Sequence, residues 1–169
     1  IITDLSKISG LFVVARHTSF TYKNKPLKVQ QVGRELGVGF ILEGSVRKAG
    51  ARVRVTGQLI SSKDGGHVWA DRFDRDLTDI FAIQDEITRS IVAELKVKLL
   101  PEEDKAVGKA PTNNLDAYTF YLKGRELFYR VSTNYFTDAR RLFVKAVEMD
   151  PNYARAYAGS AAFGSFLLL

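Results

Sequence analysis

The residues of this chain whose types and spacing could do chemistry are two histidines, a run of aspartates, two glycine groups and three arginines close together. His17 and His67 lie fifty residues apart, and neither sits in a metal-spaced cluster, so neither reads as a ligand or a general base. Asp71, Asp74, Asp76 and Asp79 crowd one junction, a spacing that invites a cation site. The interleaved Arg72 and Arg75 point instead to local ion pairs and helix capping. Gly33, Gly37 and Gly39 close a helical pattern where a phosphate loop would open one after a strand. Gly65 and Gly66, after Asp64, read as a hairpin turn. Cysteine is absent, which removes disulfides, thiolate ligands and a cysteine nucleophile. Nucleophile elbows and His-based zinc motifs are absent as well. The expectation is a chain without catalytic, cofactor-binding or metal residues, and therefore not itself an enzyme.

Two groups of residues are candidates for partner binding. Arg47, Arg52 and Arg54, with Lys48 beside them, fall on one face of a predicted hairpin that also carries Ser45, Thr56 and Gln58. That face reads either as a patch for an anion or acidic partner or as a solvated strand face. It lacks the interleaved aromatics of RNA-binding sheets, which argues against nucleic acid. Tyr118, Tyr121, Tyr129, Tyr135, Tyr153 and Tyr157 cluster late in the chain. Most are expected to fill gaps between helices. Tyr118, Tyr121 and Tyr157 are the candidates for lining a peptide groove.

The elements that must position these residues follow from periodicity. Ile1, Ile2, Leu5 and Ile8 repeat at helical spacing up to Gly10, and Leu11–Ala15 is a wholly apolar run that reads as a buried strand. Residues 16–27 read as a loop, and a helix fits Val29–Leu36 with Gly37 ending it. Alternation over 40–59 predicts a hairpin turning at Ala49-Gly50. That turn pairs Val46 with Val53, Ser45 with Arg54, and Arg47 with Arg52. A third strand is expected near His67–Phe73, with Trp69 in the core. A long helix follows, capped by Asp76 or Thr78 and striped with Ile80, Ile83, Ile87, Ile91, Leu95 and Leu99. Pro101 opens another helix, and 108–114 is the clearest boundary.

Beyond Leu115 the pattern is all helical, with a break near Ser132–Asn134 and a stop at Asp150-Pro151-Asn152. Ala139, Phe143, Ala146 and Pro151 stand at offsets 0, 4, 7 and 12. This small-large-small-Pro spacing is similar to the second helix of a tetratricopeptide repeat, where small residues let two helices approach and the Phe fills their groove. Residues 154–157 restart the pattern. The turn before Ala139 is longer than that repeat's consensus, and the second repeat is half present. An apolar face is therefore expected near Phe163–Leu169.

The earlier part resembles a known family across residues 1–100, through segments 1–16, 34–38, Leu-Glu-Gly-Ser-Val-Arg (42–47), Trp-Ala-Asp-Arg-Phe-Asp-Arg (69–75) and 79–87. These resemble the TolB amino-terminal-like domain. In many bacteria that domain sits between an effector, most often a class III adenylate/guanylate cyclase and sometimes a winged-helix regulator, and tetratricopeptide repeats. The resemblance implies a sheet whose first strand precedes Ile1, leaving an open edge that could borrow a strand from a neighbouring molecule. It also implies that any cyclase chemistry lies upstream, since the paired aspartates of such a site are absent here.

The expected fold is α+β, of α/β type: a small mixed sheet with flanking helices, lacking its first strand, then an all-α tetratricopeptide-type hairpin. The expected domains are 1–100, a linker at 101–114, and repeats at 115–169. At 169 residues and 46% apolar content the chain can bury a core. Its net charge of +6 is uneven, with ten Lys/Arg against three acids in residues 1–62. No apolar run is long enough to span a bilayer and no signal peptide opens the chain, so it is expected to be cytoplasmic. Both ends look cut from something longer. The expected partners are a protein or a second copy of the chain, with nucleic acid disfavoured. The expected role is regulation and protein interaction in a bacterial cyclase-type signalling protein. Its alternatives are the same modules in a winged-helix regulator, or anion and nucleic-acid binding by the basic hairpin.

Overall fold

Three antiparallel strands, β1 (Phe40–Ala49), β2 (Arg52–Ser61) and β3 (His67–Asp76), form one sheet in the order β1-β2-β3. They arise from the alternation over 40–61 and its continuation past the Gly65-Gly66 turn. In this computed structural model residues 1–129 and 133–162 are described, and the chain falls into two units, Ile1–Lys109 and Ala110–Leu169.

The β1–β2 register differs from the sequence expectation by two residues. Val46 pairs with Val55, Ser45 with Thr56, Arg47 with Arg54, and Ala49 with Arg52. The loop is Gly50-Ala51, not Ala49-Gly50. Gly50 takes φ +59°, the positive value that a type II′ turn demands at its first central residue. Because the slip is even, both faces survive it. Val53, Val55, Leu59 and Phe73 still share the buried face. Trp69 is partly buried on that face, its ring 3.0 Å from where a Cβ on Gly57 would stand.

Helix α4 (Ile80–Glu94), entered through a single 3₁₀ turn at Leu77–Asp79, lays Ile83, Ile87 and Ile91 on the sheet. Neither Asp76 nor Thr78 caps it. Asp79 holds the N-cap position without a side-chain bond, and Asp76 bonds to Arg52 instead. The helix ends at Glu94, but Leu95 and Leu99 still pack against the same core.

Helices α1 (Ile2–Leu5), α2 (Arg16–Phe20), α3 (Val29–Leu36) and α5 (Pro101–Ala106) complete the first unit. α1 stops well before Gly10, and α2 occupies a stretch expected to be loop. α3 has its expected bounds and ends at Gly37, whose φ of +66° is the left-handed C-terminal cap. α5 is tied in by Glu103, whose two carboxylate oxygens accept from Ser9 N–H (2.7 Å) and Leu100 N–H (2.8 Å). Arg89 joins α4 to α5 through Asp85 and Asp104.

Leu11–Ala15 is not a strand. Leu11 and Val13 turn onto the core while Phe12 is 80% exposed, but the alternation stops there, with Val14 half-buried and Ala15 exposed. Among the described residues no neighbouring strand exchanges backbone bonds with it, and an apolar run cannot form a ladder alone.

The second unit holds α6 (Leu115–Phe128), α7 (Thr133–Met149) and α8 (Ala154–Ala161). Asn114 caps α6 by accepting from Ala117 N–H at 3.0 Å. After α7, Asp150 organises the stop: it accepts from Asn152 N–H at 2.9 Å and from the Thr112 hydroxyl. Ala139, Phe143 and Ala146 are all buried. The break expected near Ser132–Asn134 is shorter than that, because α7 already includes Thr133 and Asn134; Ser132, the expected lengthened turn and the apolar face at 163–169 lie outside the described residues. The chain is thus an α+β protein with a three-stranded sheet and a helical C-terminal region.

Candidate interaction surfaces

The polar sheet face gathers Glu43, Ser45 and Arg47 from β1, Arg52, Arg54, Thr56 and Gln58 from β2, and Arg72, Asp74 and Asp76 from β3. Alternation puts them there, since their neighbours face the core. Asp74 stands opposite Arg54 and takes a hydrogen bond from it. Arg52 reaches Asp74 and Asp76, each at 3.3 Å. The Arg54 hydrogen bond is the main force holding the Asp74 carboxyl below the usual range. Two of the three candidate arginines are therefore matched by carboxylates from β3, a strand whose aspartates looked like a separate group in sequence. Ser45 and Thr56 hydroxyls bond at 2.9 Å, and Gln58 donates to Glu43 at 3.0 Å. Arg75, on the other face, pairs with Glu86 of α4 at 3.1 Å. Among the described residues no group of His, Asp or Glu is arranged to hold a metal ion.

The second surface is a cleft of about 220 Å³ in the helical unit. Tyr121, Arg125 and Phe128 contribute from α6, Phe143 from α7, and Arg155 and Gly159 from α8. Tyr121 is its floor: its ring centroid lies 5.7 Å from that of Phe143 and 5.1 Å from that of Tyr153, and the Arg125 guanidinium sits 5.6 Å above it. Of the three candidate tyrosines only Tyr121 lines this cleft. Tyr118 is partly buried against the hairpin core, and Tyr157 is exposed elsewhere on α8. Arg125 and Arg155 were missed in the sequence, although the i, i+4 spacing of Tyr121, Arg125 and Tyr129 marks one face of α6. An apolar floor with one cation above it and a second in its lining suits an extended segment bearing aromatic or aliphatic side chains and a carboxylate.

No family model matches the chain. It is 46% identical over 158 residues to a Rhizobium meliloti (strain 1021) protein named "Putative adenylate cyclase 3". That alignment takes in 94% of this chain but 27% of the relative. The chain thus spans about a quarter of that protein's length. A solved structure, lipoprotein GNA1162 from Neisseria meningitidis, is similar at 15% identity and a TM-score of 0.38, over 57% of this chain and 79% of that one. No helix among the described residues is long and apolar enough to cross a membrane.

Proposed function

We propose that the chain is a non-catalytic regulatory and protein-interaction region of a bacterial adenylate cyclase-type signalling protein, working in the cytoplasm. The observation that carries this reading is the 46% identity to the Rhizobium protein, confined to 27% of its length. That leaves ample chain in such a protein for a separate effector. In this reading residues 1–100 are a TolB amino-terminal-like domain, 101–114 a linker, and 115–169 the start of a tetratricopeptide array. Packing in the helical unit supports the last assignment. Phe143 is buried where α6 and α7 meet, with Gly124 and Ala139 as the small residues beside it. The aromatic cleft over Tyr121 would then be the docking groove, with Arg125 and Arg155 selecting an acidic segment. The relative's name favours a cyclase over a winged-helix regulator as the attached effector. Pairing of Arg52 and Arg54 with aspartates weakens the case for the sheet face as an anion site.

Cyclic AMP formation from ATP tests the reading, measured for the 169-residue chain and for the longer protein that carries it. The chain alone should be inactive. The longer protein should be active, with a rate that changes severalfold when Tyr121 and Arg125 are replaced by alanine. Turnover by the chain alone, or a longer protein indifferent to those changes, would refute it.

A further inference from the structure

β1 is an edge strand ten residues long, free of proline and paired with β2 without a bulge. Its hydrogen-bonding phase can be read off the turn. Ala49 and Arg52 flank the two-residue loop, so they exchange backbone bonds, and odd-numbered residues of β1 face β2. The bond from Ser62 N–H to Gly39 C=O, 2.9 Å long, continues that phase. Phe40, Leu42, Gly44, Val46 and Lys48 therefore turn their N–H and C=O groups outward. Such an edge is a template for another strand unless something blocks it, and here the main deterrent is the charge of Lys48. The core face is unfinished at the same place. Val46 is 67% exposed, while Val55 beside it is 7% exposed and Phe73 beyond that 3%.

We propose that a second copy of this chain covers the edge, β1 running antiparallel to β1 about a two-fold axis through Ser45, to give a six-stranded sheet. Only even residues offer outward bonds, so the axis must relate even positions to even positions. Centring on Ser45 sets Glu43 against Arg47 of the other copy, twice, on the polar face. The same register sets Val46 against Gly44 of the other copy on the apolar face, where the missing side chain leaves room for the valine. Leu42 then faces Lys48, and four outward pairs exchange on the order of eight backbone hydrogen bonds. Centring on Gly44 moves Glu43 opposite Ser45, and centring on Val46 moves it opposite Ala49. Both lose the charge match. Self-complementarity is what a two-fold contact requires, and Glu43-Gly44-Ser45-Val46-Arg47 supplies it.

Sedimentation of the full 169-residue chain over a concentration series should show a monomer–dimer equilibrium. Glu43→Arg or Arg47→Glu alone should weaken the dimer about tenfold, and the double exchange E43R/R47E should restore it. Covalent trapping fixes the register, because the chain has no cysteine of its own. Residues meeting at the axis have Cα atoms about 4.5 Å apart, within disulfide reach. Ser45→Cys should oxidise to a dimer by itself. Glu43→Cys should do so only when mixed with Arg47→Cys. A chain monomeric at every concentration overturns the proposal. So does a dimer that ignores the charge exchange and fails to cross-link through position 45, since it would then use another surface.

Discussion

Tyr153 is wholly buried between α6 and α8, and its hydroxyl has no hydrogen-bond partner among the described residues. Burial pushes its ionisation above the ordinary phenol range. Removing the hydroxyl should therefore be harmless: Tyr153→Phe is expected to leave stability unchanged or raise it by up to about 1 kcal/mol in urea unfolding. The same substitution should alter the alkaline limb. Below about pH 10 folded and unfolded chains hold the same proton, whereas above it the unfolded phenol ionises and the buried one does not. Wild-type stability falls as pH rises through that range, and the gap to Tyr153→Phe should widen there. Glu103 behaves in the opposite sense. The N–H groups of Leu100 and Ser9 hold its carboxyl below the usual range. Its contribution is present above about pH 4.3 and is lost as pH falls toward the lowered folded value. Glu103→Gln, which presents one acceptor and one donor to two N–H groups, should lower stability at neutral pH. It should also flatten that acid dependence in thermal melts.

At the scale of elements, small residues decide how closely helices approach. A Cβ at Gly159 would stand 2.8 Å from the Phe143 ring, and one at Gly124 would stand 3.1 Å from it and from the Ala139 carbonyl. Alanine at either position gains helix propensity of about 1 kcal/mol yet should destabilise the helical unit by about 1–3 kcal/mol net, because the ring must move. Phe143→Leu should relieve much of the Gly159→Ala cost, measurable as a coupling in a double-mutant cycle. On the sheet, Asp74→Asn leaves Arg54 without its counter-charge and Arg52 with Asp76 alone. The variant should be held longer than wild type on a heparin column at low salt, and the difference should vanish at high salt. These elements were unevenly legible in the sequence. α3 and its Gly37 cap could be read to the residue, because apolar spacing and the left-handed stop agree. The sheet faces could be read but the register could not: a period of two cannot tell a loop at 49–50 from one at 50–51, and positive φ at Gly50 decides it. Leu11–Ala15 has strand composition, but composition carries no information about whether a partner strand is present. In the cleft, Tyr121 and Arg125 share one face of α6 by their i, i+4 spacing, which the sequence shows, whereas Arg155 enters through the way α8 lies against α6, which it does not.

For the molecule as a whole, the core of the first unit is organised around α4. Ile87 is 1% exposed among Val53, Val55 and Phe73, so Ile87→Ala should cost about 2–5 kcal/mol. The lone tryptophan, Trp69, packs against the same core, and its fluorescence should report that loss directly as an earlier unfolding midpoint. The basic excess of residues 1–62 is partly answered at this scale too, because the acids that offset Arg52 and Arg54 come from β3, after the point where the excess was counted. Phe143 carries a different kind of consequence. Its ring meets Gly124 inside the hairpin and Gly159 on the helix that follows, so a single side chain belongs to two successive interfaces. In a stacked array, stability divides into terms within units and terms between neighbours. A residue that enters both terms makes them inseparable: the hairpin cannot loosen without releasing the next helix. Order in such an array would spread or retreat by whole steps, with Phe143 as the point through which one step reads the state of the other.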